Sequence, residues 1–211
     1  MTEIAIEPKS FIEYERAVQD AGANPTRISP NVTGLIWTDY SQPEQLRRLL
    51  DENPQLTWVQ LPFAGVDAFS SVLDRSAVRF TSAKGAYREP VAEHALALCL
   101  ALGRFLPERV RATKWGESKA VSLYDSTVLV VGGGGIAQEL SNLLRPFRVK
   151  FIVVRKHPSS EGEQELAQLD ALLPQADFVV VAAALTEETR HLFNRARFNL
   201  MKSSAFLVNV A

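Results

Sequence analysis

The sequence predicts an α/β fold of two Rossmann-like parallel-sheet units, and three observations carry that prediction. Apolar runs of strand length alternate with helical patterns along the chain, as parallel βαβ construction requires. Residues 127–137, Thr-Val-Leu-Val-Val-Gly-Gly-Gly-Gly-Ile-Ala, read as a buried strand running straight into a glycine cluster that opens a helix. Residues 116–126 lose periodicity and mark the best crossover between two units.

In the first half, Gly34–Trp37 reads as a strand and Pro43–Glu52 as a helix. Leu56–Leu61 and Val78–Thr81 read as further strands. Glu89–Phe105 reads as a long, mostly apolar helix, followed by a polar helix through about Trp115. The first 33 residues carry no clear pattern. The second half is cleaner: strand 127–131, helix 135–147, strand 149–154, helical pattern 163–173 and strand 177–183. Short helices follow near 187–192 and 195–199, and strand 205–210 comes last. That β-α-β-α-β order with a glycine-rich first turn describes a mononucleotide-binding half.

A chain of 211 residues is long enough for one large or two small domains, burying about 70% of its unfolded surface. Its 46% hydrophobic and 22% charged content is ordinary for a soluble globular protein. The net charge of −1 gives no electrostatic argument for nucleic acid or for an anionic membrane, and neither is expected as a partner. The single cysteine, Cys99, excludes an internal disulfide and is compatible with a reducing cytoplasm, the expected location. The first residues show neither a basic n-region nor an apolar h-region, so no signal peptide is expected. The longest apolar stretch, 95–103, is far too short to span a bilayer.

Within the glycine cluster, Gly132, Gly134 and Ala137 fit the G-x-G-x-x-G/A spacing. The first glycine allows the tight turn, the second lets backbone approach a pyrophosphate, and the small third residue lets the helix pack on the sheet. Phosphate then meets free N–H groups at a helix N-terminus. The glycines alone also fit a purely structural turn or another nucleotide-like ligand such as S-adenosylmethionine. At the end of the next strand the chain reads Phe-Ile-Val-Val-Arg-Lys-His, with Arg155 and Lys156 where NAD-specific sites carry a carboxylate. Two cations and no carboxylate favour NADP over NAD, because a guanidinium suits a 2′-phosphate. A basic, solvated strand end is the plain alternative.

Four segments together resemble the D-isomer-specific 2-hydroxyacid dehydrogenases, over about residue 56 onward. Leu61–Asp67 (Leu-Pro-Phe-Ala-Gly-Val-Asp) resembles that family's substrate loop, and Pro90–Leu96 the start of its long interdomain helix. Val131–Gln138 resembles the cofactor turn. Ala176–Arg190, with Leu200–Lys202 and Phe206–Ala211, resembles the closing signature. The resemblance implies a flavodoxin-like substrate domain over 1–116, incomplete, and a dinucleotide-binding domain over 117–211, incomplete at its C-terminus. It implies that backbone N–H groups of Ala64 and Gly65 hold a substrate carboxylate, and that Gly134, Gly135 and Ile136 lie under the pyrophosphate. By the same resemblance Ala184, Leu185 and Thr186 line the cofactor, and Val210 and Ala211 flank the nicotinamide. The implied activity is hydride transfer between NAD(P)H and a small 2-keto or 2-hydroxy acid such as glyoxylate or hydroxypyruvate, in a homodimer.

The family's catalytic arginine, glutamate and histidine follow the segment that ends here at Ala211. The expectation is therefore that the 211-residue chain has no meaningful reductase activity. The alternative function is a truncated, non-catalytic nucleotide-binding or regulatory polypeptide of the same fold. His94 reads as a packed or capping residue, and His157 and His191 as surface residues. Three histidines so scattered give no metal spacing. Arg104, Arg109, Arg111 and Lys114 read as a solvated helix face.

Overall fold

The short apolar runs pair as parallel strands in a computed structural model, which describes residues 1–75 and 77–211. The described residues divide into two units, Met1–Ala86 and Tyr87–Ala211. In the first, β1 (Glu3–Glu7), β2 (Asn24–Thr26), β3 (Gly34–Trp37), β4 (Trp58–Gln60) and β5 (Arg79–Thr81) form a parallel sheet. Their order, β2-β1-β3-β4-β5, is the 2-1-3-4-5 order of flavodoxin-like sheets. Helices α1 (Ile12–Asp20), α2 (Pro43–Glu52) and α3 (Ser70–Leu73) connect them.

Helix α2 begins on Pro43, whose missing N–H costs nothing in a first turn, and it buries Leu46 and Leu50, one turn apart. Those leucines join Leu35, Trp37, Val59 and Phe69 in the unit's core. The N-terminal segment, unassigned from sequence, supplies the interior strand β1 and the edge strand β2. Buried Glu7 ends β1, accepting the Ile28 N–H at 3.3 Å and pairing with Arg27 at 3.2 Å, which ties the two strands together.

In the second unit, β6 (Thr127–Val131), β7 (Lys150–Arg155), β8 (Gln164–Glu165), β9 (Phe178–Val181) and β10 (Phe206–Asn209) are likewise parallel. The order β10-β9-β6-β7-β8 corresponds to the first five places of the doubly wound 3-2-1-4-5-6 order. Strand β6 is central, and its alternation explains the unbroken apolar run. Val128 and Val130 join one core with helices α4 (Arg88–Gly103) and α6 (Gly135–Leu144), whereas Leu129 and Val131 join the opposite one with α7 (Leu169–Leu172). Ala137, Leu140 and Leu144 of α6 share the first core with Ala92, Ala95 and Cys99 of α4. Burial pushes the Cys99 thiol up to about 12, so it stays neutral and behaves as a small hydrophobe.

The chain therefore divides at Ala86/Tyr87 rather than at the expected 116/117. Helix α4 buries its small residues in the second core, and the aperiodic stretch is a loop pinned within that unit. Val121 donates to the Gly103 carbonyl at 2.7 Å, and Arg109 donates to the carbonyls of Arg104 and Lys119 at 2.9 and 2.6 Å.

Other boundaries move as well. After α4 the chain turns through a left-handed Phe105 (φ 52°), so the polar helix is only α5 (Leu106–Arg109). The helical pattern at 163–173 instead opens with β8, because Gln164 and Glu165 pair with Val154 and Arg155 beside β7. Residues 187–192 form turns, since Thr189 Oγ1 accepts the Thr186 N–H and donates to the Ala184 carbonyl, both at 2.7 Å. The helix near 195–199 is present as α8 (Arg195–Leu200), with Asn194 accepting the Arg197 N–H as its N-cap. His94 is exposed rather than packed; His157 and His191 are exposed as expected.

Asp177, just before β9, fastens the amino ends of three strands. Its carboxylate accepts the Thr127 N–H at 2.8 Å and the Lys202 ammonium at 2.7 Å, next to the starts of β6 and β10. Partial burial pushes this carboxyl up, but Lys202 and the Thr127 N–H outweigh burial and hold it below the ordinary value. Its contribution is present above that ordinary value and disappears as pH falls through the lowered one. We expect Asp177→Asn to lose about 1–2 kcal/mol at pH 7 and to flatten the stability loss below about pH 4. Urea unfolding at pH 7, 4 and 3 measures this; identical curves for both proteins would exclude the fastening role.

Candidate dinucleotide cradle and substrate loop

Strand β6 ends at Val131, and the chain must turn at once beneath the backbone that follows β9. Gly132 does so with φ +113°, and a Cβ there would stand 2.5 Å from the Ala182 carbonyl oxygen. Only glycine meets both demands. Its N–H donates to the Val154 carbonyl and the Ala182 N–H donates to the Val131 carbonyl, each at 2.8 Å, locking β7, β6 and β9 together. The turn thus lies at the carboxyl ends of the strands where the sheet order reverses, the place where doubly wound sheets take ligands.

Gly134 is the N-cap of α6, no side chain caps it, and a Cβ built there meets nothing within 4 Å. Gly135 starts the helix with the Arg88 stem 3.2 Å from its notional Cβ, and Ile136 is half-buried behind it. Ala137, 2% exposed, lets α6 seat closely on the sheet. An uncapped helix start beneath open space is what a pyrophosphate requires.

At the end of β7 the structure changes the electrostatics inferred from sequence. Arg155 folds back over the turn, its Nη1 donating to the Gly133 carbonyl at 3.0 Å and to Ser159 Oγ at 2.9 Å. The same nitrogen lies 3.5 Å from Glu163, and Lys156 pairs with Glu188. Two cations without a neighbouring carboxylate in sequence become two ion pairs in space.

Beyond β9, Ala184, Leu185 and Thr186 are exposed on the loop shaped by Thr189, on the same side of the sheet as the glycine turn. Val210 continues β10 by donating to the Val181 carbonyl at 2.9 Å, and exposed Ala211 donates to Asn209 Oδ1 at 3.1 Å. An open depression of about 700 Å³ in the second unit is lined by residues such as Arg109 and Trp115 and includes none of the cradle residues.

In the first unit, Leu61 is buried at the end of β4 and the Phe63 carbonyl accepts the Ala83 N–H at 3.1 Å. Ala64 and Gly65 are then exposed, and neither N–H donates to an acceptor among the described residues. A residue that the sequence pattern did not single out, Tyr40, braces this loop. Tyr40 packs edge-on against Phe63 and Phe69, with ring centres 5.4 and 5.9 Å away, and donates its hydroxyl to Asp67 at 3.2 Å. Burial and the adjacent Asp67 charge raise the Tyr40 pKa. The only sequence signal was an aromatic 23 residues upstream, with nothing local to link it to the loop.

The family model described as "D-isomer specific 2-hydroxyacid dehydrogenase, NAD binding domain" matches residues 94–211, more than half of the chain. The chain belongs to the D-isomer specific 2-hydroxyacid dehydrogenase family. A Corynebacterium melassecola protein of the proB 3′ region is 34% identical over 210 residues, covering 94% of this chain and 67% of its own length. The glyoxylate reductase of Pyrococcus furiosus is 30% identical over 153 residues, covering 65% of this chain but 46% of its own length. The aligned region thus spans about half of that curated relative. A crystal structure of a family protein from Aeromonas salmonicida subsp. salmonicida superposes with a TM-score of 0.83 at 25% identity, covering all of this chain and 73% of that one.

Within this family member, the glycine turn belongs to the matched NAD-binding domain. Among the described residues, no group of three or more His, Cys, Asp or Glu is placed to hold a metal ion, and no helix is long and apolar enough to cross a membrane. The two glycines of the turn make separable predictions. Gly132→Ala should cost about 2–4 kcal/mol in urea unfolding, through strain and backbone overlap. Gly134→Ala should keep stability within about 0.5 kcal/mol yet weaken dinucleotide binding about tenfold in a fluorescence titration. Unchanged binding in Gly134→Ala would reduce the turn to a structural device.

Proposed function

We propose that the protein is an NADP-preferring oxidoreductase that transfers a hydride between the nicotinamide and a small 2-keto or 2-hydroxy acid, glyoxylate or hydroxypyruvate being the expected keto acids. The observation that carries this reading is the open helix start at Gly134, set at the switch point of a sheet belonging to this dehydrogenase family. Gly134, Gly135 and Ile136 offer backbone N–H groups to the pyrophosphate. Ala184, Leu185 and Thr186 line the bound dinucleotide, and Val210 and Ala211 flank its nicotinamide ring. The exposed N–H groups of Ala64 and Gly65 receive the substrate carboxylate. The dihydronicotinamide, when bound, supplies the hydride. The reading extends to a cytoplasmic homodimer joined through the cofactor domains.

Arg155 supports NADP over NAD. Its guanidinium lies over the glycine turn, and the residue at the strand end is a cation where a ribose-binding carboxylate would stand. Titration of the 211-residue chain should show NADPH bound about tenfold more tightly than NADH, and Arg155→Asp should remove the difference. Equal affinities in the unsubstituted chain would sink the NADP assignment.

We also propose that residues 1–211 hold the cofactor without turning over substrate. Reduction of a 2-keto acid needs a proton donor for the developing alkoxide. His94, His157 and His191 are all exposed, and none is paired with a carboxylate among the described residues. Sustained oxidation of NADPH by glyoxylate or hydroxypyruvate with the repurified 211-residue chain would overturn this.

A further inference from the structure

The segment after β7 closes a small anion-binding nest, and the chain fills that nest with its own carboxylate. Ser160 and Glu163 close a turn, the Glu163 N–H donating to the Ser160 carbonyl at 3.2 Å across Gly162 at φ +89°. The turn carries Glu163 back beneath the loop, where it gathers a set of donors. Its Oε2 accepts the Ser159 N–H at 2.7 Å, the Ser160 N–H at 3.2 Å and Ser159 Oγ at 3.4 Å, and its Oε1 lies 3.5 Å from Arg155 Nη1. The Glu163 side chain is only 15% exposed, and pairing of Gln164 with Val154 fixes the backbone beside it. The Ser159 and Ser160 N–H groups, together with Arg155, hold its carboxyl below the ordinary range.

Two adjacent backbone N–H groups, a hydroxyl and a guanidinium are the donor set of a phosphate site. Here they converge on a carboxylate, and the same guanidinium bonds the Gly133 carbonyl of the cofactor turn. We propose that Glu163 is an internal stand-in for the 2′-phosphate of NADP. It occupies the phosphate donors in the free protein and must swing out when the phosphate arrives. Glu163 thereby sets how strongly the protein discriminates between phosphorylated and unphosphorylated dinucleotides. This inference rests on the NADP reading, since without a 2′-phosphate the nest has no competing ligand.

The physical consequence is asymmetric. A 2′-phosphate ligand must break the contacts of Glu163 and meets its negative charge nearby, whereas a ligand with a free 2′-hydroxyl has no phosphate to insert. Removing the charge while keeping the side-chain volume should favour the phosphate ligand alone.

The test uses the 211-residue chain and two small probes, adenosine 2′,5′-bisphosphate and 5′-AMP, which differ only in the 2′-phosphate. Their affinities are measured by calorimetry for the natural chain, E163Q and E163A, with thermal melts to verify that each variant is folded; E163A gives the reading if E163Q does not fold. We expect E163Q to bind the bisphosphate about tenfold more tightly and to change 5′-AMP affinity less than about twofold. A natural chain that prefers the bisphosphate, with no gain in either variant, would keep the NADP reading and overturn the stand-in. A preference that emerges only in the variants would support the stand-in and overturn NADP preference in the natural chain. Indifference to the 2′-phosphate in all three proteins would remove both. Loss of 5′-AMP affinity in the variants would make Glu163 a ribose ligand and overturn the stand-in.

Discussion

Nothing larger than hydrogen can stand on Gly132. Its φ of +113° and the Ala182 carbonyl oxygen, 2.5 Å from any Cβ, see to that. The rest of the cradle follows from this close approach. Because the chain turns within one residue of β6, helix α6 starts at Gly135 with its first N–H groups facing out of the sheet's carboxyl end. Because the end of β6 stays tied to β7 and β9 around Gly132, Arg155 and the loop after β9 are delivered to the two sides of the same turn. The cradle is a consequence of backbone geometry, and side chains are added around it.

Much of this was legible where a local rule was strong. The central strand β6 and helix α2 have the bounds their patterns predicted, since an unbroken apolar run and a leucine pair one turn apart each admit one reading. Strand β1 was not legible because it offers only Ile4, Ala5 and Ile6 between glutamates, and its burial depends on partners from residues 24–26 and 34–37. Strand β2 contains Pro25, which only an edge position tolerates, so its sequence reads as loop. The helical pattern at 163–173 misled because Gln164 and Glu165 owe their strand geometry to β7. The domain boundary misled for a related reason: composition marks a loop but does not say on which sheet the preceding helix packs.

The candidate site divides along the same line. Glycine spacing is local and was visible. Charge balance is not local: Glu163 and Glu188 lie 8 and 32 residues beyond the cations they meet, and only the fold brings them together. A strand end that looks purely basic in sequence is therefore close to neutral in space, and the attraction a phosphate feels there depends on whether those carboxylates can be moved. Under the proposed competition, discrimination between cofactors would depend on those carboxylates together with Arg155.

The carboxylate of Asp177 has a wider consequence through its position at the amino ends of β6, β9 and β10. The dinucleotide cradle occupies the carboxyl ends of the same sheet, so the second unit has an anchored edge and a working edge separated by the length of its strands. Loops at the working edge can change length and sequence without loosening the anchor. Changes in the loops that face a ligand are thereby kept apart from the contacts that hold the strands in place.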